Sequence, residues 1–208
     1  EIEGIEAITL DDIRNASDMG YKIKLLGVAL LHDEGVEQRV HPTLVPKGSP
    51  VSDTDGVFNA MVVKGDFVGD LMLEGRGAGA HPTASAVLSD IVDIARGNRR
   101  PAFGIPASKL KPYRQAPSKA HEGGYYVALE LVDRPGAVAS IARILADEEV
   151  SIESIVQRGK QEKDTPRATA IFILITHDTL DTAIRNAVAK IEKDGHKSEG
   201  PRGGEEGR

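Results

Sequence analysis

"EGRGAGAHPTASAV", residues Glu74 to Val87, sets three glycines on alternate positions after an apolar run (Val62, Val63, Phe67, Val68, Leu71, Leu73) and ahead of a helical pattern. Its reading decides the fold, because strand, glycines and helix in that order open a dinucleotide-binding Rossmann unit when the spacing is G-x-G-x-x-G. Here Gly75, Gly77 and Gly79 place the third glycine one position early. The fingerprint also requires an acidic residue about 20 positions on, at the end of the next strand. Gly97-Asn98-Arg99-Arg100-Pro101 stands there instead, with no strand between. The stretch is therefore not a Rossmann core. Glycines still let backbone N–H groups approach a ligand, and a following helix turns its positive end to the same place. An anionic or polar ligand beside Gly77 to Gly79 and a ligand-free strand-to-helix connection both stay open on periodicity alone.

Upstream, Asp11 to Met19 predicts a short helix with Thr9 as N-cap and Gly20 as stop. Tyr21 to Leu31 predicts a strand buried largely on both faces, His32 to Gly35 a hairpin loop, and Val36 to Val45 the returning strand. Val57 to Lys64 and Phe67 to Leu73 predict a second pair joined by Gly65-Asp66, a two-residue hairpin connection. The expectation is a β-meander. Downstream, Ala84, Val87, Leu88, Ile91, Val92 and Ala95 recur at helical spacing, with Thr83 as N-cap and Gly97 just past the end.

From Gly97 to Gly124 the composition turns to Pro, Gly, Arg, Lys and Ser, with four prolines, and predicts an extended linker. A second domain starts at Tyr125. "YYVALELV" alternates as a strand, Pro135 sits at a first helical turn, and Val138, Ile141, Ala142 and Leu145 follow at helical spacing. "VSIESIVQ" and "ATAIFILIT" are two further strands, and Leu180, Ile184, Val188 and Ile191 make a second helix. That order, β-α-β-β-α, lacks only the last strand of a ferredoxin-like domain. After Lys193 the chain reads "DGHKSEGPRGGEEGR", which has no apolar alternation and predicts a disordered tail. The final strand is expected to be lost, replaced or supplied by another chain.

Composition excludes several classes. A net charge of -6 with interspersed signs, eight Phe and Tyr residues and no Trp argue against nucleic acid. No run of about 18 apolar residues suggests a membrane span, and no secretory signal is recognisable. The absence of cysteine removes thiol chemistry and fits a reducing compartment, so cytoplasm is expected. Glu1 rather than Met opens the chain, within a few residues of the first element, as expected of a piece of a longer protein. His32, His41, His81, His121, His177 and His196 lack metal-ligand spacing, so no metal is expected, and no G-x-S-x-G elbow is present.

Five strings, "YKIKLLGVAL", "VHPTLVP", "DGVFNAMVVKGDFVGDLML", "GRGAGAHPTASAVLSDIVDIARG" and "RPAFGIP", occur in an order that closely resembles the latter part of the substrate domain of homoserine dehydrogenase. The strings lie between residues 21 and 106, and the resemblance covers about residues 4 to 106. "LVDRPGAVASIARIL" and "VSIESIVQ" resemble the ACT domain, an amino-acid-binding regulatory module carried by many bacterial members of that family. The fold class expected is thus α+β: a β-meander sheet with covering helices (1–106), a linker (107–124), a ferredoxin-like βαββα(β) ACT domain (125–193) and a disordered tail (194–208).

The resemblance implies a portion of an enzyme that interconverts L-homoserine and aspartate 4-semialdehyde with NADP or NAD. It implies cofactor contact at Gly79, with Gly77 and Ala78 shaping the turn, while Glu74 and His81 depart from the family pattern. It implies that the Rossmann domain and catalytic lysines lie before Glu1, so no catalytic residue is assigned and the chain alone is expected to be inactive. In the second domain it implies an effector site in which Asp133 meets an ammonium group, the N–H groups near Gly136 and Ala137 hold a carboxylate, and Gln157 adds a polar contact. Threonine is the effector expected, and a homo-oligomer, dimer or tetramer, the assembly. The plain alternatives are that Asp133 and Pro135 merely start a helix, and that the chain is a non-catalytic amino-acid-sensing or assembly module.

Overall fold

The computed structural model describes residues 2–101, 103–116, 122–132, 135–159, 169–194 and 197–203. By packing, the chain forms two compact units, Glu1–Pro46 with Gln115–Arg208, and Lys47–Arg114. This division crosses the boundaries at 106 and 125 read from the sequence. Among the described residues, no helix is long and apolar enough to cross a membrane.

In the first unit, helix α1 (Leu10–Asp18) starts on Thr9 through a reciprocal cap. Thr9 Oγ1 accepts from Asp12 N at 3.2 Å, and Asp12 Oδ2 accepts from Thr9 N at 2.8 Å and from Thr9 Oγ1 at 2.6 Å. Gly20, at φ +92°, ends it as expected. Strands β1 (Tyr21–His32) and β2 (Gly35–Pro46) pair antiparallel from Tyr21↔Pro46 to His32↔Gly35. The expectation that β1 is buried on both faces is corrected, since none of its twelve residues is buried. A two-stranded ribbon covers little of itself: the buried residues of this one lie on β2, at Arg39 and from His41 to Val45, and its base, at Tyr21, Ile23 and Leu44, packs on a neighbouring sheet.

That sheet belongs to the second domain. Strands β6 (Tyr125–Val132), β7 (Ile152–Gly159), β8 (Thr169–Thr176) and β10 (Lys197–Gly203) lie in the order β10-β6-β8-β7, all antiparallel, with α3 (Ala137–Asp147) and α4 (Asp181–Lys193) in the crossovers. The short strands β5 (Glu122–Gly123) and β9 (Thr179–Leu180) pair beside it. This is the complete ferredoxin-like βαββαβ arrangement, so the expected absence of a last strand is overturned. Residues 197–203 carry no apolar alternation, yet they form an edge strand paired antiparallel with β6. Its register shifts between Glu199 and Arg202, where Gly200 and Pro201 interrupt the ladder.

The period-2 pattern of β6 and β8 divides its residues between two cores. Val127, Leu129, Leu131, Phe172 and Leu174 face Ile141, Leu145, Ile184, Val188 and Ile191 of the two helices. Tyr126, Ala128, Ile173 and Ile175 face Ala16, Met19, Tyr21, Ile23 and Leu44 from α1 and the hairpin. Pro135 lies two residues ahead of α3 rather than in its first turn, because Gly136, at φ +90°, is the N-cap.

In the second unit, β3 (Phe58–Gly65) and β4 (Gly69–Arg76) form their own hairpin rather than continuing a meander from β2. Gly65 pairs with Gly69, so the connection is Asp66-Phe67-Val68, three residues rather than two. Gly69, at φ +70°, supplies the left-handed residue that such a loop requires. Helix α2 (Ala80–Ala95) follows, then a turn closed by Gly104 N to Pro101 O and a short 3-10 helix at Ala107–Lys109, where an extended linker was expected.

Candidate functional site

Between β4 and α2 the chain turns on Gly77, Ala78 and Gly79, all exposed. Gly77 N donates to Val57 O at 2.8 Å, which ties the turn to the start of β3. Gly79 is the N-cap, with φ +118° and ψ 149°, a backbone state that side-chain-bearing residues rarely adopt. The expected cap, Thr83, stands instead inside the first turn, donating from N (3.1 Å) and Oγ1 (2.8 Å) to the Gly79 carbonyl. The Gly79 conformation aims this carbonyl into the helix, so Thr83 is a tie rather than a cap. Among the described residues no hydrogen bond engages the N–H groups of Ala78 and Gly79. A Cβ built on Gly75 would meet nothing within 4 Å, so the backbone here is open to close approach.

Sequence reasoning missed Asn59. It pairs with Gly75 across the hairpin, and a Cβ placed on Gly77 would lie 1.7 Å from Asn59 Nδ2. The signal was present: one carboxamide in the otherwise apolar string "VFNAMVV".

It also missed a polar row on β2, where Glu37, Arg39, His41 and Thr43 share one face. Arg39 and His41 are buried, at 6% and 7% exposure. Arg39 Nε donates to His41 Nε2 at 2.9 Å, and its guanidinium pairs with Glu37. His41 Nδ1 lies 3.1 Å from Pro42 O, and His32 Nε2 lies 3.3 Å from Glu37 Oε2. Buried charge is tolerated here because each member has a partner. Among the described residues no group of three or more His, Asp or Glu could hold a metal ion.

In the second domain, Gly136 is exposed at the start of α3 and Ala137, the first helical residue, is buried. Asp133 lies outside the described residues. Gln157 is exposed on β7, opposite Phe172, which in turn pairs with Leu129 on β6. Strand spacing therefore puts Gln157 about 10 Å across the sheet and about 10 Å along it from the end of β6. The structure brings Gly136 and Ala137 together and leaves Gln157 apart from them within one chain.

A shallow cleft of about 490 Å³ between α3 and α4 is lined by Ser140, Arg143, Lys190, Lys193 and Asp194, none of them an expected site residue. Ser140 Oγ donates to Asp194 Oδ2 at 2.8 Å. Lys190 pairs with Glu148, and their hydrogen bond holds the Glu148 carboxyl below its ordinary range and the Lys190 ammonium above its own.

Residues 1–92 match the family model for homoserine dehydrogenase, and residues 125–193 match the model for the ACT domain. Homoserine dehydrogenases of Neisseria gonorrhoeae and Pseudomonas aeruginosa are 40% and 39% identical over 92% and 91% of this chain. The first segment is of the homoserine dehydrogenase family, and the second is an ACT domain. The chain spans 44% of the length of each of these two relatives. A crystal structure of a homoserine dehydrogenase from Thiobacillus denitrificans superposes with a TM-score of 0.75 at 42% identity, over 92% of this chain and 43% of that one. One from S. aureus does so with a TM-score of 0.63 at 26% identity, over 98% and 46%. The homoserine dehydrogenase segment is divided between the packing units: residues up to Pro46 belong with the ACT domain, and residues from Lys47 onward form the other.

Proposed function

We propose that this chain is a portion of an NAD(P)-dependent homoserine dehydrogenase that interconverts L-homoserine and L-aspartate 4-semialdehyde, serving threonine, methionine and isoleucine synthesis. The observation that carries the reading is the glycine turn of the homoserine dehydrogenase segment, with Gly79 locked at positive φ and two unspent N–H groups beside it. Such a turn suits a nicotinamide cofactor, whose bound form would supply the hydride exchanged with the C4 carbonyl. Gly77, Ala78 and Gly79 would form one wall of its site. Their part is to let the backbone approach closely and hold the ring at contact distance. No side chain of this segment is assigned a proton-transfer role.

The ACT domain is the proposed regulatory input, with threonine as effector. Asp133 would meet its ammonium group, and the N–H groups at Gly136 and Ala137 its carboxylate. Gln157, set apart within one chain, would contribute across a homo-oligomer interface, in a dimer or tetramer. The compartment proposed is the cytoplasm.

A second reading, a non-catalytic amino-acid-sensing module, is favoured by the contrast in packing. The ACT domain holds a continuous buried core, whereas Leu71, Leu73, Leu88 and Ile91 of the other unit are exposed. Mixing the purified chain with homoserine and NADP and following the reduced-nicotinamide absorbance is expected to give no turnover. Robust turnover would defeat the assignment of the catalytic lysines to residues outside this chain. Calorimetric titration with threonine is expected to show binding that Asp133→Ala abolishes; a flat trace with the unaltered chain would remove the effector proposal.

A further inference from the structure

Two ties bracket the cleft between α3 and α4. Ser140, in the first turn of α3, donates from Oγ to Asp194 Oδ2 at 2.8 Å, and Glu148, just past the last turn of α3, pairs with Lys190. The tied residues stand eight positions apart on α3 and four apart on α4, about 12 Å against about 6 Å of helix rise. The recess of about 490 Å³ lies along the longer of these stretches. That size falls within the roughly 300–1,000 Å³ of small-ligand sites. Its apolar lining is Ile144, half-buried and packed on the core of the domain. Its charged lining divides in two. Lys190 is taken by Glu148, and Asp194 by Ser140. Arg143, Asp147 and Lys193 also line it, and among the described residues their side chains enter no hydrogen bond or ion pair. Arg143 and Asp147 sit one turn apart on the same face of α3, but a cation four residues ahead of an acid is the less favourable order for an intrahelical pair. Two cations and one carboxylate therefore surround the recess uncommitted.

We propose that the α3–α4 cleft is a small-molecule site for an amino dicarboxylic acid, with one carboxylate on Arg143, the other on Lys193 and the ammonium group on Asp147. The ligand's net charge of about -1 at neutral pH answers the single positive charge that these three side chains leave over. The guanidinium fork suits a carboxylate held at two points, and the Lys193 ammonium, a point charge on a flexible stem, can follow either length of dicarboxylate. A neutral amino acid leaves one of the two cations unmatched. A dicarboxylate without an amine sets Asp147 against an anion. The recess is open to water, so these pairs are screened and binding weakens as salt rises. The site is separate from the effector site proposed at Asp133, Gly136 and Ala137, none of which lines it, and does not depend on that reading.

The test uses the 208-residue chain labelled with nitrogen-15 and titrated with L-aspartate and L-glutamate at constant ionic strength. The backbone amides of residues 140–147 and 190–194 are expected to shift together and to saturate with one Kd for at least one of the two. Arg143→Gln and Asp147→Asn are each expected to weaken that Kd about tenfold. Both positions are exposed on α3, so the thermal midpoint should stay where it is. Succinate, which carries both carboxylates and no amine, is expected to bind the unaltered chain about tenfold more weakly than aspartate. It should gain affinity in Asp147→Asn, where aspartate loses it, and a merely structural role for Asp147 would not produce that reversal. Shifts that never saturate, or that sodium chloride reproduces, would overturn the inference. So would a Kd within about twofold of the original in Arg143→Gln, or threonine acting on the same amides as tightly as the dicarboxylates. Shifts confined to Gly136 and Ala137 would overturn it too, since the ligand would then occupy the effector site instead.

Discussion

The Tyr126 hydroxyl donates to Asp12 Oδ1 at 3.0 Å, joining the ACT sheet to the first helix of the homoserine dehydrogenase segment across 114 residues of sequence. Asp12 is the same residue that closes the cap of α1, with its other oxygen, Oδ2, taken by Thr9. One buried carboxylate therefore serves both helix initiation and domain docking. At the far end of α1, Asp18 pairs with Arg158 of β7. The helix is held at both ends to the face of the sheet that α3 and α4 leave uncovered.

Removing the phenol oxygen tests the first of these ties. Tyr126→Phe keeps the ring in its apolar neighbourhood and is expected to cost about 1–2 kcal/mol in urea unfolding followed by circular dichroism. Asp12→Ala, which loses the docking bond and the reciprocal cap together, is expected to cost about 2–3 kcal/mol. Equal costs for the two would show that the cap contributes nothing.

Adjacent residues of β8 probe the two cores separately. Ile173 faces α1 and the hairpin while Leu174 faces α3 and α4, and both are fully buried. Alanine at either is expected to cost about 2–5 kcal/mol. Only Ile173→Ala should speed hydrogen exchange at Leu44 before global unfolding, because only it loosens the face on which the hairpin base rests.

The parts of this architecture that sequence periodicity could reach were those written in local chemistry. Thr9 with Asp12 three residues later and Gly20 at the end specify α1 within a residue at each end. The alternation of β6 and β8 makes both strands legible, although their long apolar runs conceal that there are two cores rather than one. What escaped was set by pairing rather than composition. Strand β10 shows itself in its backbone pairing with β6, which no apolar alternation in its sequence announces. The shift of the β3–β4 loop to residues 66–68 depends on Gly69 adopting φ +70°, which Gly65-Asp66 in the sequence masks. The cap of α2 fell on Gly79 because a threonine four residues on can bind back to its carbonyl as readily as it can cap. Asn59 stands out as the one carboxamide of its strand, but the glycine it lies against is fixed by the β3–β4 register rather than by the strand's own sequence.

Glycines in the turn are expected to differ sharply from one another. Gly79→Ala forces a side chain into φ +118° and is expected to cost about 1–3 kcal/mol. Gly75→Ala, with ordinary φ and open space, is expected to change stability by less than about 0.5 kcal/mol. Thermal midpoints of the two variants, measured side by side, check this. A Gly75→Ala as damaging as Gly79→Ala would mean that the turn tolerates no substitution for reasons other than backbone strain.

The Lys190–Glu148 pair fixes a pH signature between α4 and the end of α3. The carboxyl of Glu148 is lowered on folding, so its contribution is present above its unfolded pKa and lost as pH falls through the folded one. The ammonium of Lys190 is raised, so its contribution is present below its unfolded pKa and lost as pH rises through the folded one. The difference in thermal midpoint between the chain and its Lys190→Met variant is therefore expected to be flat between about pH 6 and 9 and to shrink at both extremes. A difference that grows on acidification would contradict the direction of the Glu148 shift.

Deleting everything after Asp194 removes β10 and bares the edge of β6, whose backbone groups from Tyr125 to Glu130 pair with it. An uncovered, largely apolar edge strand recruits another chain, and β6 is among the most apolar strands of this molecule. The truncated chain is expected to unfold at a lower temperature and to self-associate with rising concentration in sedimentation, whereas the unaltered chain should hold its state over the same range. The effect is expected to be main-chain in origin: replacing Lys197, Ser198 and Glu199 by threonine, which keeps the pairing and changes the side chains of the strand's first three residues, should leave both measurements as they are. Should the triple replacement destabilise as much as the deletion, side chains rather than ladder hydrogen bonds would be what closes the sheet.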